Sequence, residues 1–205
     1  IIVFPVNDAP ELANDIYSVS TLNEDCNNTD GSYDCDDPAV NGGTTVQTLR
    51  GSGITDVDDV LDPGGTVYGV AITGRDNNNG TWQYKLSGGN YMDIDPVSDN
   101  IALLLRDEDR IRFVPDSSWY GTAEITFRAW DQEQGTQGME GQYVVVTTNG
   151  DTEPFSTAIG TAAINIISIN DAPELADDTY SVSTLNEDCN NIDGSYDCDD
   201  NSSNP

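Results

Sequence analysis

Two stretches of this chain carry nearly the same sequence. Asn7–Asp37 reads NDAPELANDIYSVSTLNEDCNNTDGSYDCDD, and Asn170–Asp200 reads NDAPELADDTYSVSTLNEDCNNIDGSYDCDD. They differ only at Asn14/Asp177, Ile16/Thr179 and Thr29/Ile192, and the offset from Asn7 to Asn170 is 163 residues. That repeat confines the fold. Whatever module forms must close its core within the repeat length and must be able to follow another copy of itself. The expected boundaries follow. Residues 1–6 (IIVFPV) occupy the place that Ile164–Ile169 (INIISI) holds before the second NDAPEL, so they read as the last strand of a preceding repeat. Residues 7–169 read as one complete module and residues 170–205 as the opening of the next, a window onto a tandem array.

Inside the module the hydrophobic period is two. In TAEITFRAWD (122–131), Ala123, Ile125, Phe127 and Ala129 share one face while Glu124, Thr126 and Arg128 share the other. Trp82, Tyr84 and Leu86 alternate with Thr81, Gln83 and Lys85; Ile111 and Phe113 alternate with Arg110 and Arg112; Tyr68, Val70 and Ile72 share a face. Further strands are expected at 15–22, 44–49, 101–105, 142–148 and 157–169. Between them lie turn residues: Pro63-Gly64-Gly65, 77–80, Gly88-Gly89, 135–141 and Asn149-Gly150. No segment carries a helical stripe. Short strands broken by glycine-rich turns predict an all-β fold, an antiparallel β-sandwich. Trp82 falls on a core face. Trp130, on the face opposite Ala129, is expected at the domain end beside Asp131.

The charge narrows the function. Seven basic residues stand against 37 acidic ones, giving −30 with no histidine. Such a chain repels nucleic acid and anionic membrane surfaces. High net charge also accompanies disorder, but here the acids are interleaved with Trp, Tyr, Val, Ile and Leu at strand spacing. Asp outnumbers Glu 28 to 9 and sits among Gly, Asn and Pro. Asp is a turn residue and a short-armed ligand for hard cations; adaptation to high salt is the other reading. The lack of histidine removes the Ser-His-Asp and Cys-His arrangements, so catalysis is not expected. Paired carboxylates would suit a glycosidase, but chance pairs are expected among so many acids. No run reaches the roughly 18 apolar residues of a membrane span, and no signal peptide is visible.

Cys26/Cys35 and Cys189/Cys198 repeat one C-x8-C spacing. Four cysteines allow about three connectivities. Duplication favours the local pairs, since each copy must fold alone; free or metal-binding thiols are the alternative. Local disulfides imply an oxidising, extracellular setting.

Four acidic clusters stand at separate places: Asn7-Asp8-Ala9-Pro10-Glu11 with its copy Asn170–Glu174, Asn23-Glu24-Asp25, Asp56-Val57-Asp58-Asp59, and Asp131. VNDAPEL resembles the cadherin inter-domain linker, Asn23-Glu24-Asp25 the element ending the first strand, Asp56-Val57-Asp58 the D-x-D element, and Ala129-Trp130-Asp131 the A-x-D element. The module therefore resembles the cadherin-like tandem repeats of large bacterial surface adhesins. That resemblance implies a Greek-key, cadherin- or immunoglobulin-like sandwich with Ca²⁺ between modules. Asn7, Asp8, Asp56, Asp58 and Asp131 would serve the leading seam, and Glu24, Asn170 and Asp171 the trailing one, joined by Asp107 or Glu108. Oxygen donors from three segments suit a cation of six to eight ligands. The implied partners are adjacent repeats or neighbouring identical chains, and the place is the cell surface.

The repeat is longer than a common sandwich, and the cysteine-bounded segment is no part of the family pattern. Within that segment Asn28, Asp30 and Asp37 fall on calcium-loop spacing around Gly31, so a local Ca²⁺ and a solvated disulfide-closed hairpin both remain readings. Two other functions are carried forward. One is a self-assembling filament or sheath subunit using strand addition. The other is a carbohydrate-binding module using Trp119, Tyr120 and Tyr91.

Overall fold

The computed structural model describes residues 6–13, 16–26, 33–58, 67–133, 136–173 and 175. The chain divides into a unit spanning Ile1–Asp171 and a second spanning Ala172–Pro205. Nearly all of the second unit, including Cys189 and Cys198, lies outside the described residues, as do residues 1–5 of the expected leading strand.

The first unit is β-rich. Its largest sheet runs in the order β12 (Tyr143–Val145), β9 (Ile101–Arg106), β6 (Gly69–Arg75), β11 (Gly121–Trp130), β13 (Gly160–Ile167), β2 (Ile16–Ser18), with β3 (Leu22–Asn23) also on β13. A second sheet runs β4 (Thr44–Thr45), β10 (Arg110–Pro115), β7 (Gly80–Lys85), β8 (Met92–Asp93). A two-stranded pair joins β1 (Glu11–Leu12) to β5 (Ile54–Thr55). The alternating faces read from sequence turn inward as expected. Trp82, Ile111 and Phe113 of one sheet share a core with Val70, Ile72, Leu103, Leu105, Ile125 and Phe127 of the other. Trp82 and Phe113 are register partners, with ring centroids 5.3 Å apart. Gly160 is required opposite Phe127: a Cβ there would come within 2.9 Å of the Phe127 ring and 3.0 Å of Tyr17.

Four local expectations are corrected. The strand expected at 44–49 is a strand only over Thr44–Thr45 and then becomes helix α1 (Val46–Arg50). Thr45 caps that helix, its hydroxyl accepting the Thr48 N–H at 3.1 Å, and Val46 and Leu49 are buried at helical spacing. The strand expected at 15–22 is two short pieces, β2 and β3, and both pair with β13 in parallel. The main sheet is therefore antiparallel except at that edge. The strands expected at 142–148 and 157–169 are shorter than the alternation suggested. Trp130 ends β11 beside Asp131 as read, but it is fully buried in a core separate from the one between the sheets.

That last difference has a physical reason. β6, β9 and β11 are buried on both faces. On the outer face Trp130 packs with Ala71, Ala102, Leu104, Val146 and Phe155 into a second small core, covered by the excursion between β11 and β13. The indole N–H donates to Thr136 Oγ1 at 2.7 Å, so the ring is buried without an orphaned donor. Gly69, on the neighbouring strand, lets the ring lie close: a Cβ there would meet it at 2.6 Å.

The strand register sets where the chain enters and leaves. Phe127 of β11 lies beside Gly160, the first residue of β13, and β11 runs on three residues to Trp130; β11 begins at Gly121 beside Ile166, near the end of β13. Asp131 thus lies at one pole of the sheet and Ile167–Asn170 at the other, separated by about 30 Å for a strand of this length.

Candidate functional site

The entry pole gathers the leading residues expected from sequence. Asn7 Nδ2 donates to Asp131 Oδ2 at 2.9 Å, and Asp131 Oδ1 accepts the Glu133 N–H at 2.8 Å. The Asp8 N–H donates to Asp58 Oδ2 at 2.8 Å, and the Asp58 N–H donates to Asp56 Oδ1 at 2.9 Å. The segment is also fastened by backbone: the Ala9 N–H donates to Asp151 O at 2.8 Å. Asp131 is only 3 % exposed, because it follows Trp130 directly out of the outer core. Burial raises its pKa to about 6; the Asn7 amide and Glu133 N–H pull it down, and the charges of Asp56 and Glu133 push it up. Among the described residues the side-chain ion pairs are Arg50–Asp107 and Arg106–Glu140, neither of which involves these carboxylates.

The exit pole is built differently. Glu24, 2 % exposed, is gripped twice by the end of β13. Its N–H donates to Ile167 O at 3.0 Å, and its Oε1 accepts the Ile169 N–H at 2.6 Å. Asn170 and Asp171 follow immediately and are exposed, the Asn170 amide donating to Asp171 O at 3.1 Å. Glu24, Asn170 and Asp171 therefore belong to one pole, and Asn7, Asp8, Asp56, Asp58 and Asp131 to the other.

Asp107 does not join the trailing set. Arg106 is the register partner of Gly69, itself opposite Trp130, so Asp107 lies toward the entry pole. There Arg50 holds it with two bonds, Nε to Oδ1 at 2.6 Å and Nη2 to Oδ2 at 2.5 Å. Glu108 is exposed, and Asp109 is a buried turn residue accepting the N–H groups of Ser87 (2.9 Å) and Arg106 (2.8 Å). Burial raises the Asp109 pKa.

Cys26 and Cys35 form a disulfide. Of the calcium-loop positions between and after them, Asn28 and Asp30 lie outside the described residues, and Asp37 caps a turn by accepting the Ala39 N–H at 2.7 Å. Of the three aromatic residues considered for sugar stacking, Trp119 packs edge-on against Phe113, and Tyr91 lies 3.8 Å from the Arg112 guanidinium. Tyr120 keeps an exposed ring.

Sequence reasoning missed Glu133, whose N–H and charge act on Asp131 in opposite directions, and Ile169, whose N–H orients Glu24. Glu133 had a readable signal, an acidic residue two places after a carboxylate that ends a strand. Ile169 had none, since any residue supplies a backbone donor.

The donor chemistry at the two poles fits a hard cation. The gathered side chains offer oxygen and no thiolate or imidazole, and a buried carboxylate stands close to like charges. Among the described residues, however, no group of three or more Asp, Glu, Cys or His closes into a metal-holding cluster. No helix among the described residues is long and apolar enough to cross a membrane. Compared with known proteins, the chain matches no family model, no curated protein and no solved structure.

Proposed function

We propose that residues 7–169 are one bead of an extracellular tandem array, a Greek-key, cadherin-like β-sandwich whose work is mechanical. The array is a spacer on a bacterial surface adhesin, stiffened by Ca²⁺ at each junction between repeats.

One observation carries this reading. Glu24 Oε1 holds the N–H of Ile169, and by the repeat offset Ile169 corresponds to Val6. Val6 precedes Asn7, whose amide meets Asp131. By the repeat offset, the Glu24 of a preceding module would hold the residue just before the Asn7 whose amide meets Asp131, bringing it toward the Asp8, Asp56 and Asp58 of the module that follows. Entry and exit poles then become two halves of one seam. The oxygen set that one module leaves incomplete is completed by its neighbour, which is what makes the junction responsive to the neighbour's presence.

Calcium, when bound, would offset the repulsion among these carboxylates and would tie three chain segments at a point where the linker alone is a hinge. Asp131 and Asn7 orient the linker on the following module, and Glu24 orients it on the preceding one. Pro10, and Pro173 in the next copy, remove a backbone donor and stiffen the passage between them. Sites of this extracellular kind bind at about 10⁻⁴–10⁻³ M.

The test is the shape of a multi-repeat chain, by electron microscopy and small-angle scattering, in millimolar Ca²⁺ and after chelation. Straight rods that become shorter and more variable on chelation are expected. An unchanged outline would count against the reading, and open polymers of the 205-residue chain would favour strand-added filaments instead.

A further inference from the structure

Besides its two bonds to the end of β13, the exit carboxylate has a second support. Glu24 and Asp25 leave β3 through a turn closed by the Cys26 N–H on Asn23 O at 2.9 Å, and Cys26 sits at φ 52°, a backbone region that non-glycine residues enter rarely. Beyond Cys26, residues 27–32 lie outside the described chain. Cys26 is also bonded to Cys35, and Cys35 is itself anchored. Asn41, 3 % exposed, donates one amide proton pair to Cys35 O (3.1 Å) and Phe113 O (2.9 Å). Arg112, also 3 % exposed, donates to Asp36 O and Asn41 O, both at 3.0 Å. Arg112 and Phe113 lie in β10, in the middle of the four-stranded sheet. The Cys35 Sγ also lies 3.5 Å from Glu24 O, a packing contact, since a disulfide sulfur has no proton to donate.

A continuous line of fixed groups thus runs from β10 through Asn41 and Arg112 to Cys35, across the disulfide to Cys26, and back two residues to Glu24. Both sulfurs are fully buried. In a loop this short a disulfide is ordinarily read as a general stabiliser of the fold. Here it joins the four-stranded sheet to the one carboxylate that orients the outgoing chain.

We propose that the Cys26–Cys35 disulfide is the positioning element of the exit pole. It transmits the place of the four-stranded sheet to Glu24 and so sets the direction in which the chain leaves the module at Ile169. The mechanical weight of this role rests on the spacer function proposed above. The second copy carries the same residues at Glu187, Cys189 and Cys198, so every junction of an array would be aimed in the same way.

The test is amide hydrogen exchange, read residue by residue on the 205-residue chain in calcium-free buffer. Replacing both Cys26 and Cys35 by alanine is expected to speed exchange at Ile169 by about tenfold or more while the amides of 162–166 change by less than about threefold. Glu24→Ala should speed Ile169 similarly, and combining the three substitutions should add little. If the cysteine-free chain does not fold, the oxidised chain treated with a dithiol reductant, at a dose that keeps 162–166 protected, gives the same reading. Unchanged protection at Ile169, or a uniform loss along β13, would overturn the proposal by leaving the disulfide either irrelevant or merely stabilising. Because calcium is absent throughout, this outcome is independent of whether chelation alters the array.

Discussion

At the exit pole a buried carboxylate meets its donor: Glu24 accepts the Ile169 N–H at 2.6 Å. At the entry pole an equally buried carboxylate is held under protest. Asp131 accepts an amide and a backbone N–H, yet burial and the neighbouring charges of Asp56 and Glu133 still lift its pKa to about 6. Two buried acids of one unit are thus held differently. On the calcium reading proposed above, the ion's charge would act on the repulsion around Asp131, while Glu24 is already oriented by the Ile169 N–H.

The scaffold behind the entry pole carries the largest expected effect. Trp130→Ala would empty the centre of the outer core and cost about 3–5 kcal/mol. Chemical denaturation should show that loss. Exchange under native conditions should rise most around 130–131 and 155–156 and least at Ile169. A loosening of both poles to the same extent would mean that they are not independently supported, and the comparison would fail.

Sequence alternation located the sheets well where a strand sets one face on the core and the other outward, as β7 and β13 do. Trp82, Ile111, Phe113, Ile125 and Phe127 went where period two sent them. It misread 44–49, since TTVQTL satisfies a strand and a single helical turn equally; a capping hydroxyl decided the matter. It could not give the parallel pairing of β2 and β3, because alternation encodes faces and not directions. The acidic elements were legible by type and order, and the fold divides them between two poles. The burial of Asp131 was not legible. It depends on Trp130 finding cover from the excursion that follows β11, a contact between residues far apart in sequence.

Asp131→Asn sharpens the comparison at intermediate scale. A carboxyl whose pKa is about 6 when folded, against an ordinary value of 3.8, binds its proton more tightly in the native state. Its contribution therefore favours the fold at low pH, falls as pH rises from about 4 to about 6, and remains a penalty at neutrality. A shift of this size corresponds to roughly 2–3 kcal/mol. In calcium-free buffer at pH 7 the asparagine variant should melt above the parent, and the gap should close at pH 4. In millimolar Ca²⁺ the order should reverse, because the parent gains stability from binding and the variant gains less. Comparing the two chains under each condition separates this residue from the general relief of repulsion that acid brings to a chain of −30. A parent that is the more stable at neutral pH without calcium would remove the asymmetry.

Glu24→Gln is the smallest and most selective change. Glutamine keeps an oxygen that can accept the Ile169 N–H but gives up the charge, so the bond survives in its weaker neutral form at a cost of about 1 kcal/mol. Thermal melting of the calcium-free chain should barely move, and the pH dependence set by Asp131 should be unchanged, since the two carboxyls stand at opposite ends of β11 and β13. In an array the same substitution should raise the calcium concentration needed to straighten the rods, because each seam then has one carboxylate fewer. Electron microscopy across a calcium titration reads that shift. An unaltered midpoint would place Glu24 outside the seam, leaving it as the orienting contact of β13 alone and dividing the roles of the two poles completely.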